Sequence, residues 1–131
     1  MQAQLNAYIQ SEDAKAQAGF YAQALSGEIV SVMTLGQMPG TPEEQKDKVM
    51  HMVLTVAGGN VLFLADTFGP AGGGRTVSLS LNFGDLDQAR QAFANLSEGG
   101  TVKFPFEQQP WGAHYGEIED KFGISWMIVK Q

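Results

Sequence analysis

The chain contains no cysteine. Disulfides, thiolate metal sites and cysteine nucleophiles are therefore excluded, and a cytoplasmic home fits. Imidazole is scarce as well, with only His51 and His114. Positive charge is in short supply: 8 lysines and arginines stand against 14 aspartates and glutamates, for a net charge of -6 and a pI near 4.7. Such a chain does not release counterions from nucleic acid, so no DNA or RNA partner is expected. Long apolar runs are missing. VLFLA falls far short of the ~20 residues that span a bilayer, and no membrane partner is expected. The opening MQAQLNAYIQ has neither the basic start nor the apolar stretch of a signal peptide.

What is present is a globular composition. The 131 residues are 44% hydrophobic and 17% charged. A domain of this length buries roughly two-thirds of the surface that its unfolded chain exposes.

The order of elements repeats. LNAYIQ alternates apolar and polar residues like a half-buried strand. SED supplies Ser11 or Asp13 as an N-cap for a helix in which Ala14, Ala18, Tyr21 and Leu25 share a face, with Gly27 at its stop. EIVSVMTLG, VMHMVLTV and NVLFLAD read as strands, the last two joined at Gly58-Gly59. In the second half TVSLSLNF alternates. A helix follows from the cap candidate Asp85 to a stop at Gly99, and then come TVKFPFEQ, AHYGEIED and ISWMIVK. Pro105 marks TVKFPF as an edge strand or a bulge.

Each half is thus β-α-β-β-β. Module one covers about residues 1–67, a glycine-rich linker about 68–75, and module two about 76–131. Gly59 to Phe63 lines up with Gly123 to Met127, an internal repeat. The expected fold is α+β, with the two modules forming one domain whose curved mixed sheet surrounds a cleft. Leu5, Ala7 and Ile9, and likewise Val77, Leu79, Leu81 and Phe83, should pack under the helices. Asn6, Tyr8 and Gln10, with Thr76, Ser78, Ser80 and Asn82, would then line a polar cavity suited to a ligand. Gly72 to Gly74 read as linker and not as a phosphate cradle. Exposed sheet edges favour a homodimer.

These paired modules resemble the vicinal oxygen chelate superfamily, which includes glyoxalase I, extradiol dioxygenases and bleomycin-binding proteins. The closer likeness is to its PhnB-like branch. It is carried by Phe20-Tyr21, LSGEIV, Met50-His51, FLADTF and above all WGAHYGEIEDKFGISWMI. Some relatives carry a demethylubiquinone methyltransferase label, yet no strand here leads into a GxGxxG turn.

The resemblance implies that metal-dependent members take one ligand from the first and last strands of each module. Those positions fall on Asn6, Phe63, Thr76 and Met127. An amide, a benzene ring, a hydroxyl and a thioether make a poor set for a divalent ion. A displaced grouping of His51, His114, Glu117 and Glu119 is thin, because His114 and Glu117 point to opposite faces of a strand. Trp126 reads as core, Glu119 as a solvated face, and Asp120 as the organiser of the Asp-Lys-Phe-Gly turn.

Two function classes follow. The first is a metal-free small-molecule binder with its ligand among Asn6, Tyr8, His51, Phe63, Thr76, Trp111, Tyr115, Glu117 and Met127. The second is a glyoxalase- or dioxygenase-like enzyme whose divalent metal takes an unusual ligand set including His51 and Glu117. The ligand positions favour the first.

Overall fold

A computed structural model describes residues 4–70 and 77–131. Thr76 and the expected linker at Gly72 to Gly74 lie outside the described residues. The chain divides into two compact units, Met1–Ala71 and Gly72–Gln131. The first contains β1 (Ala7–Ser11), α1 (Ala14–Ala24), β2 (Glu28–Thr34), β3 (Val49–Val56) and β4 (Asn60–Asp66). Two short 3-10 turns, Leu35–Gln37 and Glu43–Gln45, lie between β2 and β3. The second contains β5 (Leu79–Phe83), α2 (Leu86–Ser97), β6 (Thr101–Gln108), β7 (His114–Glu119) and β8 (Ser125–Lys130).

The units have the same topology. The sheet orders are β1-β4-β3-β2 and β5-β8-β7-β6. In each, the first strand runs parallel to the last and the other neighbours are antiparallel. The architecture is the α+β pair of β-α-β-β-β modules read from the sequence. No helix among the described residues is long and apolar enough to cross a membrane.

The helices begin as predicted. The Asp13 carboxylate accepts from the Ala16 amide at 3.1 Å, and Asp85 accepts from Gln88 at 2.9 Å. Each satisfies an amide that the first helical turn leaves open. The α1 stop differs from expectation. Ser26, not Gly27, takes the left-handed backbone with φ +52°, and the Gly27 amide donates back to the Ala22 carbonyl at 2.8 Å. Gly27 serves β3 instead. A Cβ there would lie 2.0 Å from the Thr55 carbonyl oxygen.

In the first unit the core forms on one face of the central strands. Met52, Leu54, Val56, Leu62 and Leu64 are buried together with Ala14, Ala18 and Tyr21 of α1. Burying each such large apolar side chain contributes ~1.5–3 kcal/mol. Residues between them, such as His51, Val53 and Phe63, are half-buried and by strand alternation face the other way.

Two sequence expectations shift. The alternation puts Leu5 and Val77 on the buried face, but they are 98% and 76% exposed. The ladders begin only at Ala7 opposite Leu62 and at Leu79 opposite Trp126, so the residues before them stand outside the sheets. β6 is an edge strand, with register irregularities on both sides of Phe104, next to Pro105. The Asp120 carboxylate accepts from the Phe122 and Ile124 amides at 2.8 and 3.1 Å and from the indole of buried Trp126 at 2.8 Å.

Candidate functional site

On the first sheet, opposite its core, three rings meet. Tyr8 stands across the parallel ladder from Phe63, their centroids 6.1 Å apart and edge to face. His51 lies 5.0 Å from Phe63 and 5.7 Å from Tyr8. Its Nδ1 is 3.4 Å from the Tyr8 hydroxyl. Tyr8 is 48% exposed, so this group meets solvent. It offers apolar ring surface with a hydroxyl and an imidazole beside it, which suits a flat ligand with polar edges. Asn6 precedes β1, and its amide donates to the Val61 carbonyl at 3.4 Å.

On the second sheet the corresponding face is built from β6, β7 and β8. Tyr115 stands opposite Val129 and Glu107, and Glu117 opposite Met127 and Phe104. The Tyr115 hydroxyl donates to Glu117 Oε2 at 2.5 Å. Desolvation first, then the hydrogen bond and the charge of Glu117, push the Tyr115 phenol up from 10.0 to about 12. Trp111, in the loop before β7, is 72% exposed.

Trp111 and Tyr115 border two shallow hollows. One, of about 270 Å³, is closed by Ala113 and Val129. The other, of about 250 Å³, is closed by Phe104, Glu107 and Glu117. Gly116 permits this arrangement. A Cβ there would come within 2.6 Å of the Phe93 ring and 2.8 Å of Phe106 Cα, so α2 and β6 close beneath the strand that carries Tyr115 and Glu117. The His114 ring packs 5.9 Å from that of Phe106. By alternation it shares the Gly116 side of β7 and stands apart from Tyr115 and Glu117.

The registers relate the two faces. Met52 opposite Leu64 matches Gly116 opposite Ile128. His51 therefore corresponds to Tyr115, Val53 to Glu117, and Phe63 to Met127. Tyr8 beside Phe63 corresponds to Ser80 beside Met127. Ser80 belongs to the polar set that the sequence places in the cavity. Phe104 and Glu107 do not, because the irregularities of β6 hide their direction from the sequence.

The resemblance marks Asn6, Phe63, Thr76 and Met127 for a metal, but the first-strand residues beside Phe63 and Met127 are Tyr8 and Ser80. Thr76 lies outside the described residues. The cross-strand pairs Tyr8–Phe63 and Ser80–Met127 supply a phenol, a benzene ring, a hydroxyl and a thioether. None is the carboxylate or imidazole that a divalent ion takes from such sites, so the residues do not fit one. Among the described residues no three His, Asp or Glu side chains group to hold an ion.

A family model described as 3-demethylubiquinone-9 3-methyltransferase matches residues 5–129. The chain belongs to that family. It is a PhnB-like member of the glyoxalase/bleomycin resistance/dioxygenase superfamily. Protein PA1353 from Pseudomonas aeruginosa is 30% identical, with 99% of this chain and 98% of that one covered at a TM-score of 0.85. The PhnB protein from Bacillus cereus shares the fold at 20% identity and a TM-score of 0.81, covering 98% of this chain and 100% of its own. A glyoxalase/bleomycin resistance/dioxygenase superfamily member from Sphaerobacter thermophilus is 26% identical over 98% of both chains, with a TM-score of 0.62.

Proposed function

We propose that this PhnB-like chain is a small-molecule binding protein that works without the superfamily's usual divalent ion. One observation carries the reading. At the positions that the resemblance marks for ions, the ladders set Tyr8 beside Phe63 and Ser80 beside Met127, and none of the four is an imidazole or a carboxylate. A ligand would be held on the first sheet by Tyr8, His51 and Phe63, with Asn6 alongside, and on the second by Trp111, Tyr115, Glu117 and Met127; Thr76, outside the described residues, is a further candidate.

Such surfaces suit ligands held by stacking and a few directed hydrogen bonds. Metal analysis of the purified protein tests the proposal, with thermal unfolding in the presence and absence of a chelator. The expected result is metal well below one ion per chain and a Tm that the chelator leaves unchanged. A stoichiometric ion whose removal lowers the Tm would overturn it, since an ion bound only to the folded chain stabilises by mass action.

The binder is further proposed to be a cytoplasmic homodimer. The absence of cysteine fits that compartment. The edge strands support a partner: β2 exposes Ile29, Val30, Val32 and Met33, and β6 exposes Val102 and Phe104. Exposed apolar edges favour pairing with another chain.

A further inference from the structure

We propose that the hollow beside Trp111 and Glu117 selects organic cations, an amine or quaternary ammonium attached to an apolar body. This inference rests on the reading of the chain as a small-molecule binder and names the ligand class of its second face. The hollow combines two kinds of wall. Trp111, Tyr115 and Phe104 supply rings, and Glu107 and Glu117 supply carboxylates. No lysine or arginine lines it, and among the described residues neither carboxylate is paired with a basic side chain. Lys103, on the same strand as Glu107, is engaged with Glu119 at 3.4 Å.

The chemistry discriminates among ligand classes. Two acids without a basic neighbour repel an anion. A bare divalent ion would want several oxygens in a tight shell and would gain nothing from rings. A cation with a greasy surface gains from both walls, because ring faces attract positive charge and are easily desolvated. Glu117 already accepts the Tyr115 phenol on Oε2, which fixes the carboxylate and leaves its other oxygen for a ligand. The volume of about 250 Å³ accommodates a head group with part of its body. The net charge of -6 draws cations toward the chain at long range.

Three probes of similar size test this: benzyltrimethylammonium, benzyl alcohol and phenylacetate. The readout is the fluorescence of exposed Trp111, with Trp126, which is 2% exposed, as the internal background. The cation should perturb Trp111 saturably, bind about tenfold or more tightly than benzyl alcohol, and weaken as salt is added. Phenylacetate should bind least. Glu117→Gln should cost the cation about tenfold and benzyl alcohol several-fold less than that, and Glu107→Gln should cost the cation less than Glu117→Gln does. Since Glu117 also holds Tyr115, each variant's Tm is compared with wild type, and Glu107→Gln serves if Glu117→Gln does not fold.

Equal or tighter binding of benzyl alcohol or phenylacetate would overturn the cation preference and leave the binding-protein reading standing. So would unchanged cation affinity in both variants. If no probe perturbs Trp111, the hollow is not a ligand site. The broader reading then stands or falls on the metal and chelator measurements alone.

Discussion

Tyr115 and Glu117 lie two residues apart on one face of β7, joined by a 2.5 Å hydrogen bond from phenol to carboxylate. Folding raises the phenol from 10.0 to about 12, so the protonated form is the one the fold favours. Its contribution to stability is complete below pH 10 and is lost as the pH climbs toward 12. Stability should therefore fall more steeply over that interval in the wild type than in Tyr115→Phe. A tyrosinate absorbance titration, wild type minus Tyr115→Phe, should give a midpoint near 12. Glu117→Gln should lower that midpoint but keep it above 10.0, because burial is the larger cause. A wild-type midpoint at 10.0 would refute the assignment.

Asp120→Ala should destabilise the second unit by ~2–4 kcal/mol, measured by urea unfolding. It removes the acceptor for the Phe122 and Ile124 amides and for the indole of Trp126, which is buried. Asp120→Asn keeps one oxygen acceptor and should lose less. A loss within ~0.5 kcal/mol for Asp120→Ala, the range of ordinary surface changes, would contradict this account.

Gly116→Ala should cost ~1–3 kcal/mol, because the new methyl meets Phe93 and the β6 backbone. Shortening the ring with Phe93→Leu should recover part of that loss, so the double variant would be more stable than the sum of the singles predicts. Strict additivity would mean that the two residues do not press on one another.

Placing lysine on the exposed edges, at Val30 of β2 or Val102 of β6, should convert the proposed dimer to a monomer in light scattering, with little change in far-UV circular dichroism. A monomeric wild type would rule out the dimer.

What could be read in advance was what is local. The strand over Val49 to Val56, the Ala14–Ala18–Tyr21 stripe and the Asp120 turn all depend on residues within one segment, and all three appear in the fold. What escaped depends on partners across a ladder. The strand starts at Ala7 and Leu79 are set by where β4 and β8 provide a neighbour. The neighbour of Phe63 is Tyr8, whereas counting along the first strand led to Asn6. Phe104 and Glu107 reach the face because β6 bulges around Pro105, which breaks the period-two rule that places side chains. Gly27 looked like a helix stop because its tight contact with Thr55 is invisible along the chain.

Trp111 is a wall common to both hollows on its sheet. They are therefore not independent receptacles. Tyr115 lines both as well, so a guest that shifts either ring in one hollow alters a wall of the other. A single elongated guest laid across the ring should hold it still and draw on both compartments at once.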